Sequence, residues 1–252
     1  MKFAGLLAAG QILAQAAIAE EPARSSPEAT ASLQALIESD ARPESHRARD
    51  KWRHPLETLS FFGIEPSMTV VEIWPGGQGG YYRRILAPFL EAGGGRYVPV
   101  TDDSPFPEDV PGLPYGEADM VLVFRAHGFM IYDHDAQLYV DALYRMLKPG
   151  GIFGIVDHAG DERVPQDPEG RNGYVNESHF LGLARNAGFE LIESSDVNRN
   201  SKDSKDHPRG VYSLPPTLAG SLPFTDERKK YLEIGESDRF TLKFRKPFKT
   251  QQ

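Results

Sequence analysis

Short apolar runs alternate with helical patterns along most of this 252-residue chain. The apolar runs that predict strands lie at residues 68–74, 96–101, 119–124, 152–156, 189–197 and 240–244. Patterns of helical spacing fill several of the intervals between them, at residues 81–90, 135–147 and 177–187. Strands that alternate with helices predict an α/β fold, in which helices cover both faces of a doubly wound, mostly parallel sheet.

The interval after the second predicted strand breaks this alternation. Four prolines and two glycines fall between Thr101 and Ala118, which is more than a helix of useful length tolerates. We therefore predict a loop here. The segment of the chain that connects the second strand to the apolar run DMVLVF is then shortened.

The N-terminus has the pattern of a secretory signal peptide. Lys2 precedes an apolar run that ends in Ala17, Ile18 and Ala19 before Glu20. We expect cleavage after Ala19 and an exported protein, most simply a periplasmic one. No later segment approaches the roughly 20 apolar residues needed to cross a bilayer, so no membrane span is predicted. Residues 20–50 are expected to form a linker and N-terminal helical region, and residues 51–252 one domain.

Composition argues against several function classes. The chain has 28 Lys+Arg against 36 Asp+Glu and a net charge of -8, which disfavours sequence-independent nucleic-acid binding. It has no cysteine, and therefore no disulfide, thiolate metal site or cysteine nucleophile. No two histidines stand four residues apart, so no metal site is predicted, and no Gly-x-Ser-x-Gly elbow indicates a hydrolase.

A glycine-rich loop joins the first predicted strand to a helix. Glu72 stands near the end of the strand, and Gly76, Gly77, Gly79 and Gly80 follow. Glycine lets the backbone approach a ligand closely, and the helix N-terminus offers free N–H groups. The pattern predicts a ligand site, with a tight turn that binds nothing as the alternative.

Further candidates follow the third and fourth predicted strands, because doubly wound sheets bind ligands at the carboxyl ends of their strands. Arg125 could hold a carboxylate, and His127 and His158 titrate near neutrality and could accept a proton. The alternatives are that Arg125 pairs with Asp157, that His127 caps a helix, and that His158 is structural.

Two other segments could border such a site. Residues 42–53 carry dense charge of both signs and predict a solvated helical face, with a lid over the site as the alternative. Residues 198–217 are polar and broken by prolines, which predicts either a substrate cover or a plain surface loop. The residues that a cover would point inward are Asn198, Asn200, His207 and Arg209.

The chain resembles the class I S-adenosylmethionine-dependent methyltransferases in four stretches that follow one another in the same order. These stretches are VVEIWPGGQGGYYRRIL, DMVLVFRAHGF, LKPGGIFGIVDH and AGFELI. Within them the chain is similar to a group of uncharacterised, often exported predicted methyltransferases, which carry tails like KDHPRGVYSLPPTL and GESDRFTLKF. The resemblance covers roughly residues 51–247. It implies a Rossmann-like methyltransferase fold for the 51–252 domain and S-adenosyl-L-methionine as the cofactor.

The resemblance also implies roles by position. Glu72 matches the acidic residue that ends the family's first strand, and Asp102 or Asp103 matches the acid that binds ribose hydroxyls. The loop around the methionine part of the cofactor corresponds to Gly76, Gly77, Gly79 and Gly80. The fourth strand of that fold meets cofactor and substrate at positions where this chain has Phe124, Arg125 and His127.

Two hypotheses follow from these features. The first is S-adenosylmethionine-dependent methyl transfer to an unidentified small molecule, which the glycine loop, Glu72 and the strand-end residues favour. The alternative is a non-catalytic exported binding protein on a degenerate methyltransferase fold. Three features favour this alternative. Trp74 stands where the glycine loop usually has its first glycine, and the proline-broken loop after the second strand replaces a helix and strand that help hold adenine in the family. The third feature is the expected export. The sequence assigns neither an acceptor nor an oligomeric state.

Overall fold

The computed structural model describes residues 23–76, 79–129 and 135–248, except for the side chains of Ala126 and His127. The predicted signal peptide at residues 1–19 and the loop residue Gly77 lie outside the described residues. Among the described helices, none is long and apolar enough to cross a membrane.

Six strands in the described part of the chain form one sheet in the order β2-β1-β3-β4-β6-β5. They are β1 (Thr69–Ile73), β2 (Arg96–Val100), β3 (Ala118–Phe124), β4 (Leu147–His158), β5 (Glu190–Ser195) and β6 (Arg239–Arg245). The first four strands pair in parallel, and β6 runs antiparallel to both of its neighbours. The predicted α/β class with a doubly wound, mostly parallel sheet is confirmed.

Eight α-helices are described beside this sheet. They are α1 (Pro27–Glu38), α2 (Glu44–Arg47), α3 (Asp50–Arg53), α4 (Pro55–Phe62), α5 (Arg83–Ala92), α6 (Ala136–Met146), α7 (Glu177–Ala187) and α8 (Asp226–Ile234). Residues 101–117, between β2 and β3, contain neither a helix nor a strand, so β2 forms an edge of the sheet. The predicted shortening at this point is therefore also confirmed.

The helices bury apolar side chains against both faces of the sheet, because alternate residues of a strand point to opposite faces. On one face, Leu33 of α1, Phe62 of α4 and Leu86 of α5 pack with strand residues such as Leu122. On the other face, α6 and α7 contribute a second core, whose members include Val121, Leu143, Phe153 and Phe180. The sheet is thus covered on both faces, and its strand ends provide the exposed edge where ligands bind in such folds.

Some element bounds differ from those predicted. Within the linker and N-terminal helical region predicted for residues 20–50, helix α1 begins at Pro27, because Ser26 caps it by accepting a hydrogen bond from the Ala29 N–H. The strand expected at residues 152–156 begins at Leu147, which pairs with Ala118. Helix α8 was not predicted, since its sequence DERKKYLEI is mostly polar and lacks the apolar spacing that reveals a helix.

Candidate functional site

A cavity of about 360 Å³ opens where β1 and β3 end. Glu72 of β1 and Gly76 of the following loop line it together with Phe124 and Arg125 at the end of β3. These four residues were predicted from separate stretches of the sequence, and the parallel pairing of β1 with β3 brings them together. Helices α2 and α3 and the distant Pro216 also contribute lining side chains.

Glu72 is a buried carboxyl group at the cavity wall, with only 1% of its surface exposed. The Tyr97 hydroxyl donates a hydrogen bond to Glu72 Oε2 at 2.6 Å. Burial raises the pKa of Glu72 to about 7, although the Tyr97 hydrogen bond and the charges of Arg125 and Arg83 act in the opposite direction. Glu72 can therefore gain or lose a proton near neutral pH.

The glycine loop approaches the site through Gly76. Gly76 has φ +87°, and a Cβ atom there would lie 3.2 Å from a guanidinium nitrogen of Arg125, so a side chain would intrude on the cavity. Gly79 and Gly80 also have positive φ, but they contact Arg84 and Pro75 and do not line this cavity. Only one of the three described loop glycines is thus placed against the site.

Trp74 is held at the cavity by an aromatic cluster. Its ring makes edge contacts with Phe106, Phe129 and Tyr139, at centroid distances of 6.1, 5.3 and 5.8 Å. Its backbone has φ +47°, which is uncommon for a bulky residue, so the packing of the ring holds an unfavourable conformation in place. The half-buried indole forms a wall of the cavity rather than filling it.

On the other side of the cavity, Phe124 stacks against Tyr82 with ring centroids 3.6 Å apart and an interplanar angle of 10°. Tyr81 lies next to Tyr82 and donates a hydrogen bond to Asp50 of α3. Both tyrosines line the cavity, so the segment before α5 supplies an aromatic wall that also contacts the N-terminal helices.

A cluster of arginines surrounds the buried carboxylate of Glu236. Arg49 Nε donates to Glu236 Oε1 at 2.6 Å, Arg53 Nε to Oε2 at 3.0 Å, and Arg239 Nη1 to Oε2 at 3.0 Å. Burial alone would raise the pKa of Glu236, but the positive charges of Arg53, Arg239 and Arg49 outweigh it and lower the pKa to about 2. Glu236 is therefore ionised at neutral pH.

Arg125 reaches the same cavity from the end of β3. Its backbone has φ +85°, its N–H donates to the Val156 carbonyl at 2.8 Å, and its Nε donates to the Phe124 carbonyl at 3.2 Å. No carboxylate of the described residues forms an ion pair with it, but the charge of Asp157 does act on Arg125, so the alternative of an internal pair with Asp157 stays a prediction. Desolvation by the cavity walls and then the charges of Arg53 and Arg49 lower its pKa, yet an arginine stays protonated.

The other predicted site residues lie at or beyond the margin of the cavity. His158 ends β4, where its Nδ1 lies 2.5 Å from Ser237 Oγ, and it borders a smaller hollow that shares Arg125 and Pro216 with the main cavity. The backbone of His127 lies in a short 3₁₀ helix, but its side chain is outside the description. Asp102 and Asp103 follow β2 as exposed residues and do not line the cavity.

The prediction of a solvated face for residues 42–53 is wrong, because Arg42, His46 and Arg53 are buried. His46, Arg49 and Arg53 line the cavity, which agrees with the alternative of a lid. Their spacing of three and four residues is compatible with one helical face, but spacing alone does not distinguish a buried charged face from a solvated one, and the structure divides these residues between α2 and α3. No local pattern could reveal their partner Glu236, which is 187 residues away from Arg49.

The segment before α8 is anchored by side chains that were candidates for a substrate cover. Asn198 donates to the Thr58 and Thr241 hydroxyls at 3.0 and 2.9 Å, and Asp203 accepts from the Tyr174 hydroxyl at 2.9 Å. His207 Nε2 lies 2.8 Å from Asp203 Oδ1. These side chains hold the segment in place, while Pro216 is the part of it that reaches the main cavity.

No protein-family model matches the sequence, and no curated protein sequence matches it. Solved structures do match the fold. A SAM-dependent methyltransferase from Aquifex aeolicus is 14% identical with a TM-score of 0.53, covering 86% of this chain and 98% of its own. A geranyl diphosphate C-methyltransferase from Streptomyces coelicolor A3(2), solved with Mg²⁺, geranyl diphosphate and S-adenosyl-L-homocysteine, is 14% identical with a TM-score of 0.48, covering 84% and 88%. At such identity the Aquifex match supports a Rossmann-like methyltransferase fold and not an activity.

Proposed function

We propose that this protein transfers a methyl group from S-adenosyl-L-methionine to a small-molecule acceptor. The observation that carries the proposal is the meeting of Glu72 and Gly76 with Phe124 and Arg125 around one cavity at the strand ends. The Aquifex structure with the same fold is described as SAM-dependent, which agrees with this assignment. Cavities of about 300 to 1,000 Å³ are usual for small ligands, and this one has about 360 Å³.

The residues at the cavity fit the methionine part of this cofactor. Glu72 offers a carboxylate to an amino group, and Gly76 leaves room for a ligand against the backbone. The nucleoside part would meet the indole of Trp74, which offers an aromatic surface for stacking. When bound, the cofactor supplies a methyl group activated by its sulfonium centre.

The chain's own contribution to methyl transfer is mostly positioning, because orientation of the reactants supplies much of the rate in such reactions. Arg125 and the aromatic rings of Phe124 and Tyr82 would orient the acceptor. His158, which borders the adjoining hollow, and His127 are the candidates for accepting a proton from the acceptor.

Calorimetric titration with S-adenosyl-L-homocysteine tests the proposal. We expect binding of one molecule with a micromolar Kd in the wild type, and its loss in Glu72→Ala and Gly76→Val. Gly94→Val is the matched control, because Gly94 has a similar φ of +77° but no atom within 4 Å of its Cβ position. The control carries the same backbone strain away from the cavity and should bind normally.

Silence from folded wild-type protein would refute the methyltransferase proposal. It would favour the non-catalytic binding protein, for which Trp74 and the shortened segment between β2 and β3 are the supporting features. Binding that survives both Glu72→Ala and Gly76→Val would remove the cavity from the proposal.

We also propose that the protein is exported and cleaved after Ala19. The support is the order of Lys2, an apolar run and Ala17-Ile18-Ala19 in the sequence. Mass spectrometry of protein purified from a periplasmic fraction should find an N-terminus at Glu20. Intact Met1 on protein that remains in the cytosol would overturn this proposal.

A further inference from the structure

We propose that the acceptor is an anion, bearing a carboxylate or phosphate group, and that Arg49, Arg53 and Arg125 bind this group. That the bound anion is the methyl acceptor rests on the proposed function. The anion site itself rests on the charges of the cavity and can be tested separately.

The arginines beside Glu236 outnumber the negative charges available to them. This single carboxylate accepts hydrogen bonds from Arg49, Arg53 and Arg239, so three guanidinium groups share one negative charge. Arg53 and Arg239 are buried, and buried positive charges without a full complement of anions are costly. Arg49 and Arg53 also line the cavity, where a ligand could supply the missing negative charge.

Arg125 adds a further positive charge to the same cavity. The charges of Asp157 and Glu236 act on it, but no carboxylate of the described residues lies within ion-pair distance of it. Its left-handed backbone, at φ +85°, is an uncommon conformation for a long side chain and is typical of functional positions. Because guanidinium groups bind carboxylate and phosphate through paired hydrogen bonds, Arg125 can complete an anion site with Arg49 and Arg53.

The charge of buried Asp157 acts on Arg125, but the other ionisable groups near the cavity do not cancel the positive charge. Asp50 is already paired with Arg42 through two contacts of 2.7 Å. Glu72 is half protonated near pH 7, since its pKa lies at about 7. His46 is buried beside the cavity, and desolvation and the charges of the neighbouring arginines lower its pKa, which favours its neutral form.

His46 adds an independent indication of a ligand. It is buried, it lines the cavity, and its Nδ1 has no hydrogen-bond partner among the described residues. The Nδ1 of His54 is also buried without a hydrogen-bond partner among the described residues, but His54 does not line the cavity. A neutral imidazole can donate one hydrogen bond to an oxygen of the same anion.

Calorimetric titration with inorganic phosphate, and separately with acetate, tests the anion site at constant ionic strength. Arg49→Gln and Arg125→Asn each remove one guanidinium, and asparagine tolerates the positive φ at residue 125. We expect each variant to weaken binding of at least one probe by tenfold or more. Arg47→Gln is the matched control, because Arg47 lies in the same helix as His46 but does not line the cavity. The control should bind as the wild type does.

A second titration identifies the source of the anion. Because the cofactor also carries a carboxylate, the probes are titrated again with S-adenosyl-L-homocysteine at saturation. An unchanged affinity supports an acceptor site. Competition would assign the arginines to the cofactor and overturn the proposal, as would wild-type protein that binds neither probe or variants that bind as well as the wild type. If the probes bind but S-adenosyl-L-homocysteine does not, the anion site stands and the methyltransferase proposal fails.

Discussion

Glu72→Gln should stabilise the protein at alkaline pH and leave its stability unchanged at acidic pH. Glu72 is 1% exposed, and its pKa is about 7 against an ordinary 4.5. The difference is about 2.5 pH units, and each unit corresponds to about 1.36 kcal/mol. Because the pKa of Glu72 is raised in the folded state, Glu72 does not lower the free energy of unfolding below pH 4.5. The free energy of unfolding then falls as the pH rises through 7 and Glu72 ionises. Above pH 8, the ionised carboxylate therefore costs about 3 kcal/mol.

The glutamine variant removes this cost without removing the local hydrogen bond. The Tyr97 hydroxyl, which donates to Glu72 Oε2 at 2.6 Å, can donate equally to a glutamine side-chain oxygen. We expect Glu72→Gln and wild type to unfold at the same urea concentration at pH 4.5. At pH 8.5 the variant should be more stable by about 3 kcal/mol. Glu91→Gln is the control, because Glu91 is exposed on α5 and should show no pH-dependent difference.

The same variant should lose affinity for S-adenosyl-L-homocysteine, so that stability and ligand binding change in opposite directions. Such a trade-off is expected where a buried charge is kept for function. A Glu72→Gln variant that is less stable than wild type at pH 8.5 would contradict the raised pKa of Glu72. A stability difference that does not vary with pH would also refute it, since Glu72 would then have an ordinary pKa in the folded protein.

Variants at Glu236, Asp203 and Trp74 test other contacts in and around the cavity. Glu236→Gln leaves the arginines around residue 236 without their carboxylate and should lower the free energy of unfolding in urea at pH 7 by about 3 to 5 kcal/mol. The control Glu233→Gln, at an exposed residue, should lower it by less than about 0.5 kcal/mol. Asp203→Asn weakens the anchor to Tyr174 and should make limited trypsin digestion cut after Lys202 several times faster; an unchanged cleavage rate would contradict this role. Trp74→Ala should weaken S-adenosyl-L-homocysteine binding about tenfold if the indole stacks with the ligand, and tighter binding would mean that it obstructs the site.

The sheet could be predicted because its strands are buried on both faces and therefore appear as continuous apolar runs. The run from Ala118 to Phe124 is an example, since nearly all of β3 is buried. Helix α8 could not be predicted in this way, because only Tyr231 and Ile234 of its nine residues are buried. Its formation depends on the Thr225 cap and on contacts with Leu214, which are tertiary information.

The residues of the candidate site also fall into a predictable and an unpredictable group. Glu72, Phe124 and Arg125 were predictable because parallel strands present their carboxyl ends at one edge, whatever their separation in sequence. Arg49 and Arg53 were not, because a charged helix without its partner reads as a solvated surface. Their burial depends on Glu236, which the sequence places beyond α8 and the anchored segment.

The two buried carboxyl groups have different partners, so the two ends of the cavity differ in charge. Both are almost fully buried, Glu72 at 1% and Glu236 at 4% exposure, so desolvation opposes the charge of each. Glu236 has three arginines in contact and stays ionised, whereas the group that donates to Glu72 is a neutral phenol, so Glu72 is poised near pH 7. Under the proposed function, the positively charged amino group of the cofactor is therefore favoured at Glu72, and the anionic group of the acceptor at the arginines. The opposite placement would bring like charges together at both ends, so the charges of the cavity separate the two ligands.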